Sequence, residues 1–188
     1  MSRPSRTCES RRKMSVLQVR ILGDPVLRER AREVEHFDLA LRRLVGDMLE
    51  TMYESHGVGL AAPQVGVSQR LFVFDDGDTG PLALVNPELV DFEEEQYGEE
   101  GCLSLPGIYF NVERALRVTA KGLDANGKPL EMRGEGMLAR ILQHEVDHIN
   151  GILFIDHLPE EERREALRQM REQDLEFHQT HGDPTRTL

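Results

Sequence analysis

The sequence predicts an α+β fold: one domain in which antiparallel strands pack around a central helix, with further helices towards the N- and C-termini. Three observations predict it. Helical periodicity appears before residue 57 and returns after residue 136, and apolar runs of strand length, separated by turn residues, fill the stretch between. At 188 residues the chain is long enough for one domain with a proper core and short for two.

The elements follow in order. Leu41, Leu44, Val45, Met48, Leu49 and Met52 recur with the spacing of one apolar helix face, with Asp38 as N-cap and Gly57 as the stop. LFVF (71–74) reads as a buried strand closed by the turn-rich DDGDTG, and LALVNPELV suggests one or two further strands around Pro87. The acidic run DFEEEQYGEE (91–100) reads as solvated strand edge and loop rather than as a cation site. Leu116, Val118 and Ala120 alternate, and the turn DANG followed by KPLEM completes a hairpin. A strong helix spans about Gly136 to Asn150 with Gly151 as its stop, and a mostly charged one runs from Pro159 to about Phe177. Residues 1–15 read as a disordered basic tail, since the first 13 carry five basic residues against one acid and no apolar stretch, with Met14 as an alternative start. The folded domain then covers 16–158, and 159–188 form the charged helix and tail.

Composition narrows the function. A hydrophobic fraction of 39% with 30% charged residues belongs to a soluble globular protein. No apolar run approaches the roughly 18 residues of a membrane span, so no membrane partner is expected. A net charge of -11 argues against a surface built for DNA or other nucleic acid. The two cysteines, Cys8 and Cys102, are too few for a secreted disulfide framework and favour the cytoplasm.

QHEVDHINGILF (143–154) places His144 and His148 four apart on the central helix, where both can grip one metal ion from a single face. Glu145 lies about 100° round that helix, within reach of a metal-bound water. One and two turns back, Ile141 and Met137 would line an apolar floor. A catalytic site needs a third protein ligand. An extended endopeptidase motif would place it at position 154, which holds Phe154, so that reading fails. Glu161, Glu162 or Glu165 could serve from the last helix, although surface glutamate is the ordinary expectation there. Cys102, in EGCLSLPG (100–107), offers a thiolate suited to a first-row divalent metal; taken alone it reads slightly more readily as a small buried hydrophobe, the commonest setting of a free cysteine. A third motif, GVGLAAPQ (57–64), has glycines that permit close backbone approach and ends on the amide of Gln64.

These three stretches, in this order, resemble the peptide deformylases. The family pattern has fixed positions that fall here on Gly57, Gly59, Ala61, Ala62 and Gln64, then Glu100, Gly101, Cys102 and Ser104, then His144, Glu145 and His148. The similarity runs from about Val16 to Leu158, which would make 16–158 the catalytic domain and its central helix the metal-binding helix. The resemblance implies that Cys102, His144 and His148 hold one divalent metal with water in the fourth position. Ferrous iron comes first, with nickel, cobalt or zinc as alternatives.

The implied reaction is hydrolysis of the N-formyl group from the initiator methionine of new polypeptides, releasing formate. Metal-bound water would attack the formyl carbon with Glu145 as general acid/base, and the Gln64 amide and Leu103 backbone N–H would face the oxyanion. The substrate would lie extended against Gly59, its methionine near Val58, Met137 and Ile141. Arg114 is expected to pair with Glu100, and Asp147 and Ser104 to hydrogen-bond locally. Implied partners are N-formyl-methionyl nascent peptides, with transient ribosome association as a further expectation. Between Glu160 and Glu176 seven acids face four arginines, which weighs against that helix as the ribosome contact.

Overall fold

The computed structural model describes residues 15–181; the basic tail before Ser15 and the last seven residues lie outside them. Helix α1 spans Leu39–Glu54, and the Asp38 side chain accepts from Leu41 N–H as the expected N-cap. Its end differs from expectation by a residue. His56, not Gly57, takes the left-handed conformation (φ 56°), while His56 N–H returns to Tyr53 O and Gly57 N–H to Met52 O, closing a Schellman turn. Gly57 serves close approach instead, since a Cβ there would sit 2.9 Å from Leu103 Cδ1.

Five strands follow as an antiparallel meander in sequence order: β1 Gly59–Ala61, β2 Leu71–Phe74, β3 Leu82–Cys102, β4 Leu105–Leu123 and β5 Pro129–Glu135. The short β1, inside GVGLAAPQ, is an element the sequence did not announce; a 3-10 turn, Ala62–Val65, follows it. All four residues of β2 are buried because both faces are covered. Leu71 and Val73 pack in the α1 layer, and Phe72 and Phe74 in the layer of helix α2, Met137–Ile149. Burying each such side chain contributes on the order of 1.5–3 kcal/mol.

The stretch around Pro87 is one strand, not two, and the acidic run continues it to Cys102. Bulges explain how. Pairing with β4 slips between Val85 and Glu88, where Asn86 has φ 50° and Pro87 needs no ladder donor. It slips again between Val90 and Glu93, and a third time at Cys102. Helix α3, Glu160–His181, packs through Ala166 and Leu167 on β4 and a 3-10 turn at Phe154–His157. The architecture is the expected α+β single domain, with α2 lying across the sheet beneath the end of β3.

Candidate active site

Two rows of side chains meet where β3 runs over α2. Strand pleating puts Gly98, Glu100 and Cys102 on one face of β3, and fourfold spacing puts Arg140, His144 and His148 along one line of α2. Cys102 Sγ lies 3.2 Å from His148 Nε2, which in turn lies 3.2 Å from His144 Nε2. The three ligand atoms all fall within 4.8 Å of one another, and among the described residues no other group of three such side chains converges this way. A thiolate with two imidazole nitrogens is a donor set that fits a first-row divalent ion. Phe154, at the position of the failed extended motif, stacks on His144 with centroids 6.2 Å apart. The acids of α3 are not part of the group; Glu165 pairs with Gln169 and Arg168.

Behind the ligands stands a buried charge network. Glu100, 5% exposed, accepts from Arg114 Nε and Nη2 at 2.8 and 3.0 Å and from Arg140 Nη1 at 2.7 Å. Its Oε2 is also 3.0 Å from His144 Nδ1, which fixes the ring so that Nε2 faces Cys102. Arg114 donates to Asp147 at 2.6 Å as well, and Asp147 lies 2.7 Å from His157 Nε2. Burial by itself would raise the Glu100 carboxyl; the His144 and Arg114 hydrogen bonds and charges outweigh it and hold it well below the usual carboxylate range. The two imidazoles diverge in proton affinity. Burial opposes charge on both, but Cys102 and Glu100 push His144 well above its ordinary value, while burial, His144 and Arg114 push His148 well below.

Glu145 is 3% exposed and its Oε2 has no hydrogen-bond partner. Burial pushes it up to about 7; the His144 charge opposes this, and those of Glu100 and Asp147 add to it. It packs on Gly59, where a Cβ would sit 2.3 Å from Oε1. Gln64 is held in place: its Oε1 accepts from Ala61 N–H at 2.8 Å, and its Nε2 faces Ser104 Oγ at 3.2 Å and Cys102 Sγ at 3.6 Å.

Gln64, Glu100, Cys102, His144 and Glu145 line a cleft of about 540 Å³ together with Val58, Gly59, Leu103, Met137 and Ile141. The expected apolar floor holds only in part. Ile141 is buried, whereas Met137 and Val58 are 64% and 53% exposed at the mouth, Met137 because it is the first residue of α2. Sequence reasoning anticipated the Arg114–Glu100 pair but missed the grip of Glu100 on His144. Strand alternation carried the signal, since Glu100 and Cys102 share a face. It also missed Arg140, for which spacing from His144 was the available clue.

The sequence model of the polypeptide deformylase family matches residues 16–164. The peptide deformylase of Acidothermus cellulolyticus is 52% identical over 160 residues, covering 85% of this chain and 88% of that one. That of Halothermothrix orenii is 54% identical over 144 residues, covering 76% and 94%. Among solved structures, the peptide deformylase of Legionella pneumophila superposes with a TM-score of 0.83 at 46% identity, covering 90% of this chain and all of that one. One from Synechococcus elongatus, solved in complex with actinonin, gives 0.78 at 43% identity, covering 81% and 86%. Carrying the three motifs on this fold, the chain belongs to the polypeptide deformylase family, enzymes that remove the N-formyl group from newly made polypeptides.

Proposed function

We propose that the enzyme is a metal-dependent hydrolase in which Cys102, His144 and His148 hold one divalent ion, ferrous iron foremost and nickel, cobalt or zinc as alternatives. The convergence of one sulfur and two imidazole nitrogens beside a buried carboxylate carries this reading. When bound, such an ion lowers the pKa of coordinated water towards neutrality and polarises a carbonyl oxygen. The thiolate makes it a weaker Lewis acid than three histidines would and leaves it prone to oxidation.

The remaining work falls to the chain's own side chains. Glu145, with an Oε2 free of other bonds, accepts the proton from the attacking water and returns it to the departing amine as the C–N bond of the formamide breaks. Its elevated pKa suits both directions of transfer near neutral pH. Gln64 Nε2 and Leu103 N–H stabilise the oxyanion, a contribution of about 2.7–4 kcal/mol for one such donor. Because Ala61 N–H fixes the Gln64 carbonyl, its NH₂ need not reorganise. The peptide lies along Gly59, and its methionine takes Val58, Met137 and Ile141. Nascent chains in the cytoplasm are the substrates; any transient ribosome contact uses surfaces other than the acidic α3.

The test is a formyl-Met tripeptide offered to the metal-loaded protein, with formate and new internal amino termini measured together. Formate without peptide-bond cleavage is expected. Peptide-bond cleavage without formate would replace this reading with an endopeptidase.

A further inference from the structure

Phe154 and His157 stand at the two ends of one 3-10 turn. Phe154 stacks on His144 itself, whereas His157 works from another side of α2. That helix turns Ile141, His144 and Glu145 to the cleft and Val146, Asp147 and Asn150 to a second groove of about 670 Å³, which His157 also lines with its side chain 36% exposed. The turn is pinned between them: Asp156 Oδ2 accepts from Leu153 N–H at 2.9 Å, and Oδ1 pairs with Arg163 at 3.1 Å.

Two donors meet at Asp147 Oδ2, Arg114 Nη1 at 2.6 Å and His157 Nε2 at 2.7 Å, and no other side chain bonds Asp147 among the described residues. A carboxylate only accepts, so His157 carries a proton on Nε2. Nη1 and Nε2 are then two donors 3.2 Å apart, held together by the oxygen they share. Arg114 turns its other two nitrogens to Glu100, at 2.8 and 3.0 Å, and Glu100 Oε2 meets His144 Nδ1 at 3.0 Å. An unbroken series of contacts therefore runs from the groove to a candidate metal ligand.

We propose that His157 is a positioning residue for the metal centre: by holding Asp147 against Arg114, it keeps Glu100 aimed at His144 Nδ1 and His144 Nε2 aimed at the ion. The proposal rests on the metal assignment made above and adds to it a residue outside the three motifs. Without His157, Asp147 keeps a single donor and is free to swing into the groove. Arg114 then loses its outer clamp, and Glu100 is held less firmly behind His144. Groups that orient a ligand tune metal affinity, typically by about 10–100-fold for those in direct contact with it. His157 stands three residues further out than Glu100, so its effect is smaller. The cleft that takes the peptide lies elsewhere on α2, and the substrate's own contacts are untouched.

The experiment measures nickel affinity by competition with a chelator, and kcat and KM of the nickel-loaded enzyme for a formyl-Met tripeptide. Wild type is compared with His157→Leu, His157→Gln, Arg114→Lys and the double variant that joins His157→Leu to Arg114→Lys. His157→Leu should weaken nickel affinity by about threefold to tenfold, and lower kcat while KM stays as in wild type. His157→Gln keeps an N–H near the position of Nε2 and should stay within about twofold of wild type. Arg114→Lys removes the fork that joins Asp147 to Glu100, so adding His157→Leu to it should weaken affinity by less than about twofold more. Three results would overturn the proposal while leaving the metal assignment intact: wild-type affinity in His157→Leu, a His157→Gln variant as weak as His157→Leu, or the full loss repeated in the double variant. Folded wild type that holds no nickel would overturn both.

Discussion

Glu93 and Glu100 lie on the same strand, and each is met by two arginines, yet they do different things. Glu93 pairs with Arg117 at 3.1 Å and Arg133 at 2.7 Å across the exposed part of the sheet, where its side chain is 44% accessible. Glu100 pairs with Arg114 and Arg140 at nearly the same distances, but its side chain is 3% accessible and it also holds a histidine of the candidate metal centre. Water screens the first set, and holding long side chains in place offsets most of what remains. The second set has no water to fall back on, so removing one member strands the others. Identical chemistry is surface decoration midway along β3 and structural support for a site near its end.

That contrast can be broken or sharpened by substitution. The largest effect is expected for Glu100→Ala, which leaves Arg140 without a carboxylate and frees His144 Nδ1. Unfolding of the metal-free protein in urea should show a loss of about 3–5 kcal/mol. Metal affinity, read by competition with a chelator, should weaken by about 10–100-fold. An Arg114→Lys change keeps the charge but loses the two-point grip on Glu100, and about 1–3 kcal/mol is expected from the same unfolding measurement.

Acid sensitivity should separate the two glutamates next. Because the folded-state value for Glu100 lies below its unfolded value, its stabilisation is complete above about pH 4.3 and is lost as pH falls towards the folded value. Stability of the metal-free protein should therefore drop below about pH 4.3, and the drop should be shallower in Glu100→Gln. The smallest effect belongs to Glu93→Gln, for which a change within about 1 kcal/mol is expected. A Glu93→Gln loss matching that of Glu100→Ala would show that burial is not what distinguishes them.

The same contrast explains what could be read in advance. His144, Glu145 and His148 were legible because fourfold spacing on a helix fixes their neighbourhood without any distant contact. Asp38 and the α1 face were legible for the same local reason. The acidic run was legible only as strand edge and loop, because its charges conceal a continuous strand until the Arg117 and Arg133 partners on β4 and β5 are known. Asn86, Asp91 and Glu94, all at positive φ, mark irregularities that no hydropathy pattern reports. The Glu100–His144 contact and the burial of Arg140 depend on the register of β3 against α2, a non-local fact. Only the Glu100–Cys102 alternation hinted at it.

The most direct test of the central claim is formate release from a formyl-Met peptide by protein purified anaerobically with iron and, separately, loaded with nickel, each beside its Glu145→Ala variant. The account predicts turnover in both wild-type preparations and at least about a hundredfold loss in the variant while it keeps its metal. Equal turnover with and without the Glu145 carboxylate, or no formate from folded, metal-loaded protein, would contradict it.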